Sequence, residues 1–217
     1  MDFSFAEEQD DLRREARAFL EANPAPSDEQ LAELGWVGIL DSGDFTFLDA
    51  AVLFEELGRV HYEGPWAERE LGDDRRRLLS AYALQAVGIG SKAVELAIAY
   101  VSEREQFGRK IGSYQAVAHP LVDAYVAVEL ARSLAYWSAW CVAEGDELAD
   151  VACLAAKSQA TEAAVFACER SIQAHGGIGF TWEHPLHRYY KRALQLESAL
   201  GYGREHRAEV ASFLLPS

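Results

Sequence analysis

Apolar positions along this chain recur at the three-and-four spacing of a helix, and nowhere do they alternate for long between turn signals. Leu12, Ala16, Phe19 and Leu20 form the first stripe, predicting a helix over 5–22. Pro24 and Pro26 stop it, and Ser27 with Gln30 three residues on can cap the next helix. A short helix is expected over 31–40, a turn over 41–45, and a helix over 48–57 closed by Gly58. Gly64, Pro65, Gly72 and mixed charge make 60–77 read as a connection.

From about Arg77 the helices become long. Leu79, Ala83, Ala86, Gly90, Ala93, Ala97 and Tyr100 keep helical spacing, with small residues that suit close backbone approach. After a break at 108–113, Val117, Leu121, Ala124, Val128, Ala131 and Ala135 form one stripe, and Val126, Leu130, Leu134 and Trp137 a second. A helix apolar on two faces is central in a bundle or lies under a subunit interface. The next helix, 147–173, carries a line of alanines at 152, 156, 160, 163 and 167 and ends at Gly176, Gly177 and Gly179. Pro185 opens a helix over 186–200, and Gly201 and Gly203 interrupt it before a last short one. The expected fold is all-α with essentially no sheet: an antiparallel helical bundle over 71–217 behind a small helical region, 1–70.

Charge narrows the functions. Of 217 residues, 35 are Asp or Glu against 20 Lys or Arg, a formal net charge of −15. Nucleic-acid binding needs clustered positive charge, so neither DNA nor RNA is expected as a partner. No apolar run approaches the roughly 20 residues of a membrane span, and the first residues are acidic where a secretory leader is basic. A soluble, cytoplasmic protein is expected. Cys141, Cys153 and Cys168 are too scattered for a disulfide framework or zinc site and read as buried small hydrophobes.

Two polar interruptions carry candidate chemistry. In EREQFGRKIGSYQAV (103–117), Arg104 and Arg109 offer planar forks to an anion, Phe107 a cover for a planar ring, and Gly108 an exit from the helix. A polar helix–helix turn explains the same residues. In QAHGGIGFTWEHPLHRYYKR (173–192), three glycines in four positions let backbone N–H groups approach a ligand, or let two helices cross tightly. The spacing is not the dinucleotide fingerprint, and no strand precedes it. His175, His184 and His187 lack the spacing of a metal site, and His119, standing alone, reads as a hydrogen-bonded structural histidine. Glu197 and Glu205 have no fixed separation and default to surface charge.

SEREQFGRKIGSYQAVAHPLVD (102–123) and QAHGGIGFTWEHPLHRYYKRA (173–193) together resemble two motifs of the acyl-CoA dehydrogenase family, in the right order. MDFSFAEEQDDLRREARAFL, LAELGWVGIL and FEELGRV resemble its N-terminal landmarks. The resemblance implies N- and C-terminal helical domains with the middle β domain missing, since FEELGRVHYEGPW runs almost directly into the first long helix. It implies FAD shared at a subunit interface: Arg104, Gln106 and Phe107 would meet the cofactor's pyrophosphate and adenine end, and Gln173, Gly176 and Gly177 the same portion through side-chain amide and backbone. The family's catalytic glutamate–glycine pair aligns with Leu200 and Gly201, so no catalytic residue is assigned. Glu197 lies three residues early, and Asp73 or Asp74 is the nearest alternative base.

Retention of the cofactor segments without the base implies a heteromer in which a full-length homologue, as partner, supplies the glutamate that acts on an acyl-CoA thioester. Two alternatives remain. One is a flavin-free lyase, hydratase or cyclase using His175, His184, Glu183 and Tyr189; the other is a structural homodimer.

Overall fold

The computed structural model describes residues 6–41, 43 and 45–215. The expected start of the first helix at Phe5 lies outside these, as do two positions of the turn expected at 41–45. The helices are α1 (Glu7–Ala22), α2 (Asp28–Glu33), α3 (Phe47–Arg59), α4 (Trp66–Leu71), α5 (Arg75–Glu103), α6 (Gln115–Glu144), α7 (Ala149–His175), α8 (Leu186–Ser198) and α9 (Gly203–Leu214). One minimal ladder interrupts them, β1 (Glu105–Gln106) antiparallel to β2 (Arg109–Lys110). The all-α expectation holds.

Helices α5 to α8 alternate in direction. Ser80 near the start of α5 meets Ser138 near the end of α6 at 2.7 Å, and Arg76 on α5 pairs with Asp150 at the start of α7. Tyr100 and His175, near the ends of α5 and α7, stack on one another, and Lys157 of α7 reaches the last turn of α8. The end of α5, the start of α6, the end of α7 and the start of α8 therefore share one end of the bundle. The alanine line of α7 is buried throughout, and a continuous core runs from Ala16 of α1 to Leu196 of α8.

Several expectations shift. The Ser27–Gln30 pair forms as a reciprocal cap, but it starts α2 at Asp28, ahead of the helix expected at 31–40. The connection at 60–77 contains α4, because Trp66, Ala67 and Leu71 find places in the core. Gly58 does not end α3. A Cβ there would stand 2.1 Å from the Gln85 carbonyl oxygen, and one at Gly88 would stand 2.0 Å from that of Glu55. The two glycines let α3 and α5 cross backbone to backbone.

On α6 the first stripe faces inward, with Leu121, Ala124, Val128, Ala131 and Ala135 buried. The second divides: Leu134 and Trp137 are partly covered by core clusters, while Val126 and Leu130 are 46% and 61% exposed. Val122 and Tyr125, with Ile98 of α5, extend the uncovered apolar strip. Among the described residues, α5 is the one helix with the length and composition of a membrane span, and 67% of its most apolar window is buried within the protein.

Candidate functional site

Arg104 caps the C-terminus of α5, and its carbonyl accepts the Ile111 N–H at 2.8 Å, closing a small hairpin. Gln106 and Arg109 face each other in the ladder. Phe107 and Gly108 form the turn between them, both with positive φ (53° and 78°), as a tight hairpin of right-handed twist demands. The left-handed residue is thus Phe107 as well as the glycine. Phe107 is 93% exposed, an unfavourable placement for a large aromatic side chain. Arg109 lies 3.8 Å over the Tyr114 ring, leaving its guanidinium edge open.

Gln173 sits exposed on the last turn of α7, and its carbonyl accepts the Gly176 N–H. Gly176 takes φ 64°, which favours glycine. Gly177 has no positive φ, and a Cβ there would meet nothing within 4 Å. The chain's own packing gives no reason for glycine at 177, whereas close approach of an external group to the backbone does. Gly179 differs, since its Cβ would lie 2.7 Å from the Ile172 carbonyl.

The electrostatics of this end are unlike the rest. Among the described residues, most lysines and arginines are held by a carboxylate. Arg192 bonds Gln85 and Gln195, and Lys157 two backbone carbonyls. Arg104, Arg109, Lys110, Arg170, Arg188 and Lys191 have no carboxylate partner, and all lie at the bundle end carrying the hairpin and the glycine turn. In a chain of net charge −15, this is the surface prepared for an anion.

His175 is buried, with Nδ1 2.8 Å from the Ser171 carbonyl oxygen. Its ring stacks on Tyr100 at 4.3 Å and meets His184 at 4.3 Å. Burial, then the two neighbouring histidines, pushes the His184 pKa down. Tyr189 is not with them: it packs against His61 at 4.8 Å and donates its hydroxyl to the Arg59 carbonyl at 2.8 Å. Glu183 is exposed, so the four residues of the flavin-free alternative do not converge. No group of acids, cysteines and histidines suited to a metal occurs among the described residues. His119 is exposed and makes no side-chain hydrogen bond there, contrary to expectation, because α6 turns it outward. All three cysteines are free and buried, as expected.

At the opposite end, Leu200 takes φ 59° between α8 and α9, and Gly201 φ 105°. Buried groups hold this corner. Lys157, 0% exposed, donates from Nζ to the Glu197 and Gly201 carbonyls at 3.3 Å each, and His206 Nε2 lies 3.0 Å from the Leu200 carbonyl oxygen. Desolvation lowers the Lys157 pKa to about 8. Asp74 is committed as the cap of α5, accepting from the Arg77 N–H.

Sequence reading missed Lys157, whose signal is a cation set within the alanine line of α7. It also missed the buried carboxylates Glu55 and Glu56. Glu55 accepts from Arg132 and from the Tyr136 hydroxyl, and Glu56 takes both arms of Arg17.

A helical bundle with one anion-ready, aromatic-tipped end is the class these features define. The acyl-CoA dehydrogenase C-terminal domain profile matches residues 75–215, and the chain belongs to the acyl-CoA dehydrogenase family. Its α4 runs into α5 with no β domain between them. It is 37% identical over 147 residues to the acyl-CoA dehydrogenase IpdE2 of Mycolicibacterium smegmatis, covering 65% of this chain and 44% of that one. It is also 37% identical over 130 residues to FadE27 of Mycobacterium tuberculosis, covering 57% and 35%. The chain thus spans less than half the length of these curated relatives. Its fold is similar to that of a chain in the crystal structure of the ChsE4–ChsE5 complex from Mycobacterium tuberculosis (TM-score 0.88, 18% identity, 100% of this chain and 100% of that one). Butyryl-CoA dehydrogenase from Megasphaera elsdenii gives a TM-score of 0.60 at 24% identity, over 77% of this chain and 38% of that one.

Proposed function

We propose that this chain is a cytoplasmic subunit of a heteromeric, flavin-dependent acyl-CoA dehydrogenase. In this reading it contributes one wall of the FAD site, and a full-length homologue supplies the catalytic glutamate for an acyl-CoA thioester. The observation that carries it is the gathering of unpaired cations, exposed Phe107 and unobstructed Gly177 at one bundle end, with leucine at the base position. Arg104 is the residue for the pyrophosphate, and Phe107 covers the adenine. Gln106, Gln173, Gly176 and Gly177 supply amide and backbone groups to the same half of the cofactor.

FAD, when bound, supplies the hydride acceptor. This chain's part is to fix the nucleotide half, so that placement rather than proton transfer is its contribution. Leu200 cannot accept a proton, and its corner closes a wall without chemistry. The uncovered strip of Ile98, Val122, Tyr125, Val126 and Leu130 supports a helical partner, as large exposed apolar patches mark interaction surfaces. The naming of ChsE4–ChsE5 as a complex is consistent with such a pairing.

Native mass spectrometry with an absorbance spectrum, on protein purified from its own cells, tests the proposal. A yellow complex with a longer homologue is expected, losing its flavin in Arg104→Ala and Gly177→Ala. A colourless chain without such a partner, or a homomer that oxidises a thioester unaided, overturns it.

A further inference from the structure

A second anion-facing feature lies outside the two segments just assigned. A cleft of about 720 Å³ opens between the first turns of α8 and the N-terminal segments 24–28 and 61–65. That is within the roughly 300–1,000 Å³ range of small-molecule sites. Arg188 and Lys191 line its α8 side, and neither has a carboxylate partner among the described residues. Trp182 stands beside them, 76% exposed, with Lys191 Nζ 4.7 Å from its ring centroid and the His187 ring meeting it edge-on at 4.7 Å. His187 fixes its own orientation through Nδ1, 2.8 Å from the His184 carbonyl oxygen, while its Nε2 is buried with no partner.

The opposite wall differs in chemistry. Asp28 is neutralised by Arg69 at 2.5 Å. Glu63 forms no salt bridge among the described residues, although its charge reaches Arg192 and His61, and its exposed carboxylate can accept from neutral donors such as ribose hydroxyls. Pro24, Pro26 and Pro65 stiffen the rim. Cations beside an open indole on one side, and an acceptor across the gap, match a ligand with a phosphate, an aromatic ring and a sugar between.

We propose that this cleft binds an adenosine phosphate, with its phosphate on Arg188 and Lys191, its base against Trp182 and its ribose toward Glu63. Base stacking on an exposed aromatic and phosphate pairing with free cations are each sequence-independent attractions of ordinary strength. The same chemistry is presented by the bisphosphorylated adenosine head of coenzyme A, by the ADP half of FAD and by a free nucleotide. The inference does not depend on the proposed flavin role, because the cleft uses none of Arg104, Gln106, Phe107, Gln173, Gly176 or Gly177.

The test is titration of the protein from its own cells, with any partner retained, following tryptophan emission. The probes are adenosine 3′,5′-bisphosphate, coenzyme A, AMP, FAD and inorganic phosphate. Saturable quenching by adenosine phosphates is expected, absent in Trp182→Leu and weakened about tenfold or more in Arg188→Ala/Lys191→Ala. Both of those side chains are exposed, so an unchanged circular dichroism spectrum and unfolding midpoint confirm a folded variant. Arg75→Ala/Arg76→Ala, at exposed side chains on the opposite end of the bundle, serves as the control and should leave this binding unchanged. Tighter binding of the bisphosphate and coenzyme A than of AMP identifies the coenzyme head, and equal binding of AMP identifies a general nucleotide site. FAD binding that survives Arg104→Ala/Arg109→Ala assigns the flavin's ADP half here. The inference is overturned by no saturable binding at millimolar probe, by inorganic phosphate competing as well as the nucleotides, or by indifference to the α8 variant.

Discussion

Replacing Lys157 with methionine isolates the cost of a buried ammonium. The lysine side chain is 0% exposed, and its Nζ has two backbone carbonyls and no carboxylate within bonding distance. Desolvation lowers its pKa from 10.5 to about 8. Below pH 8 folded and unfolded chains both hold the proton, and this group's contribution to stability does not change with pH. Between pH 8 and 10.5 the unfolded chain holds it and the folded chain has released it, so stability rises with pH. At about 1.4 kcal/mol per tenfold change in proton affinity, the gain across that window approaches about 3 kcal/mol. Buried Cys153 and Tyr189, both pushed up to about 12 by burial, act in the opposite sense above their unfolded values. Their effect cancels when wild type and Lys157→Met are compared at each pH. Urea unfolding of both proteins from pH 7 to pH 10.5, under reducing conditions, gives that difference. It should be flat to about pH 8 and then climb in favour of wild type by about 2–3 kcal/mol. A difference flat throughout refutes the desolvated amine and, with it, the account of how the Leu200 corner is held.

Other substitutions test separate joints. Gly88→Ala places a Cβ 2.0 Å from the Glu55 carbonyl oxygen and 2.8 Å from the Arg59 nitrogen; because both are backbone, denaturant unfolding should show a loss of about 1–3 kcal/mol or more. Gly177→Ala meets no neighbour, so its stability should stay within about 0.5 kcal/mol of wild type while flavin content falls, separating a ligand-facing glycine from a packing one. Glu55→Ala removes the carboxylate that accepts from Arg132 and the Tyr136 hydroxyl, while Arg132 keeps Glu129 and Ser91 and Tyr136 keeps Arg13, so it should cost about 1–3 kcal/mol; a double-mutant cycle with Arg132→Met should recover part of it, and strict additivity would contradict the pairing.

How much was legible in the sequence varies by element. The long helices and their ends follow from spacing, glycines and prolines, which act locally. So α5 begins two residues before its expected start, and α8 ends two before its expected end. Helix α4 was hidden, since its short polar stretch becomes helical only when Trp66 reaches the core. Gly58 misled because a glycine reads alike as a stop or as a close crossing until Gln85 is seen against it. The two polar segments proposed to face the cofactor were legible as motifs. What marks them physically, the absence of ion pairs, was not.

Local pattern along the chain is enough for the helical class, the order and approximate limits of the long helices, the family, and the leucine at the position that the resemblance assigns to a base. Periodicity records which side of a helix is apolar, and short spacings record caps and turns, because both depend on neighbours a few residues away. Packing in three dimensions settles which face of α6 stays uncovered, which cations are neutralised and which carboxylates are buried. Those outcomes join residues far apart along the chain, as Glu55 and Arg132 are, 77 positions from each other. A one-dimensional pattern holds the charge of each partner but not the distance between them, and in a low-dielectric interior that distance sets the energy.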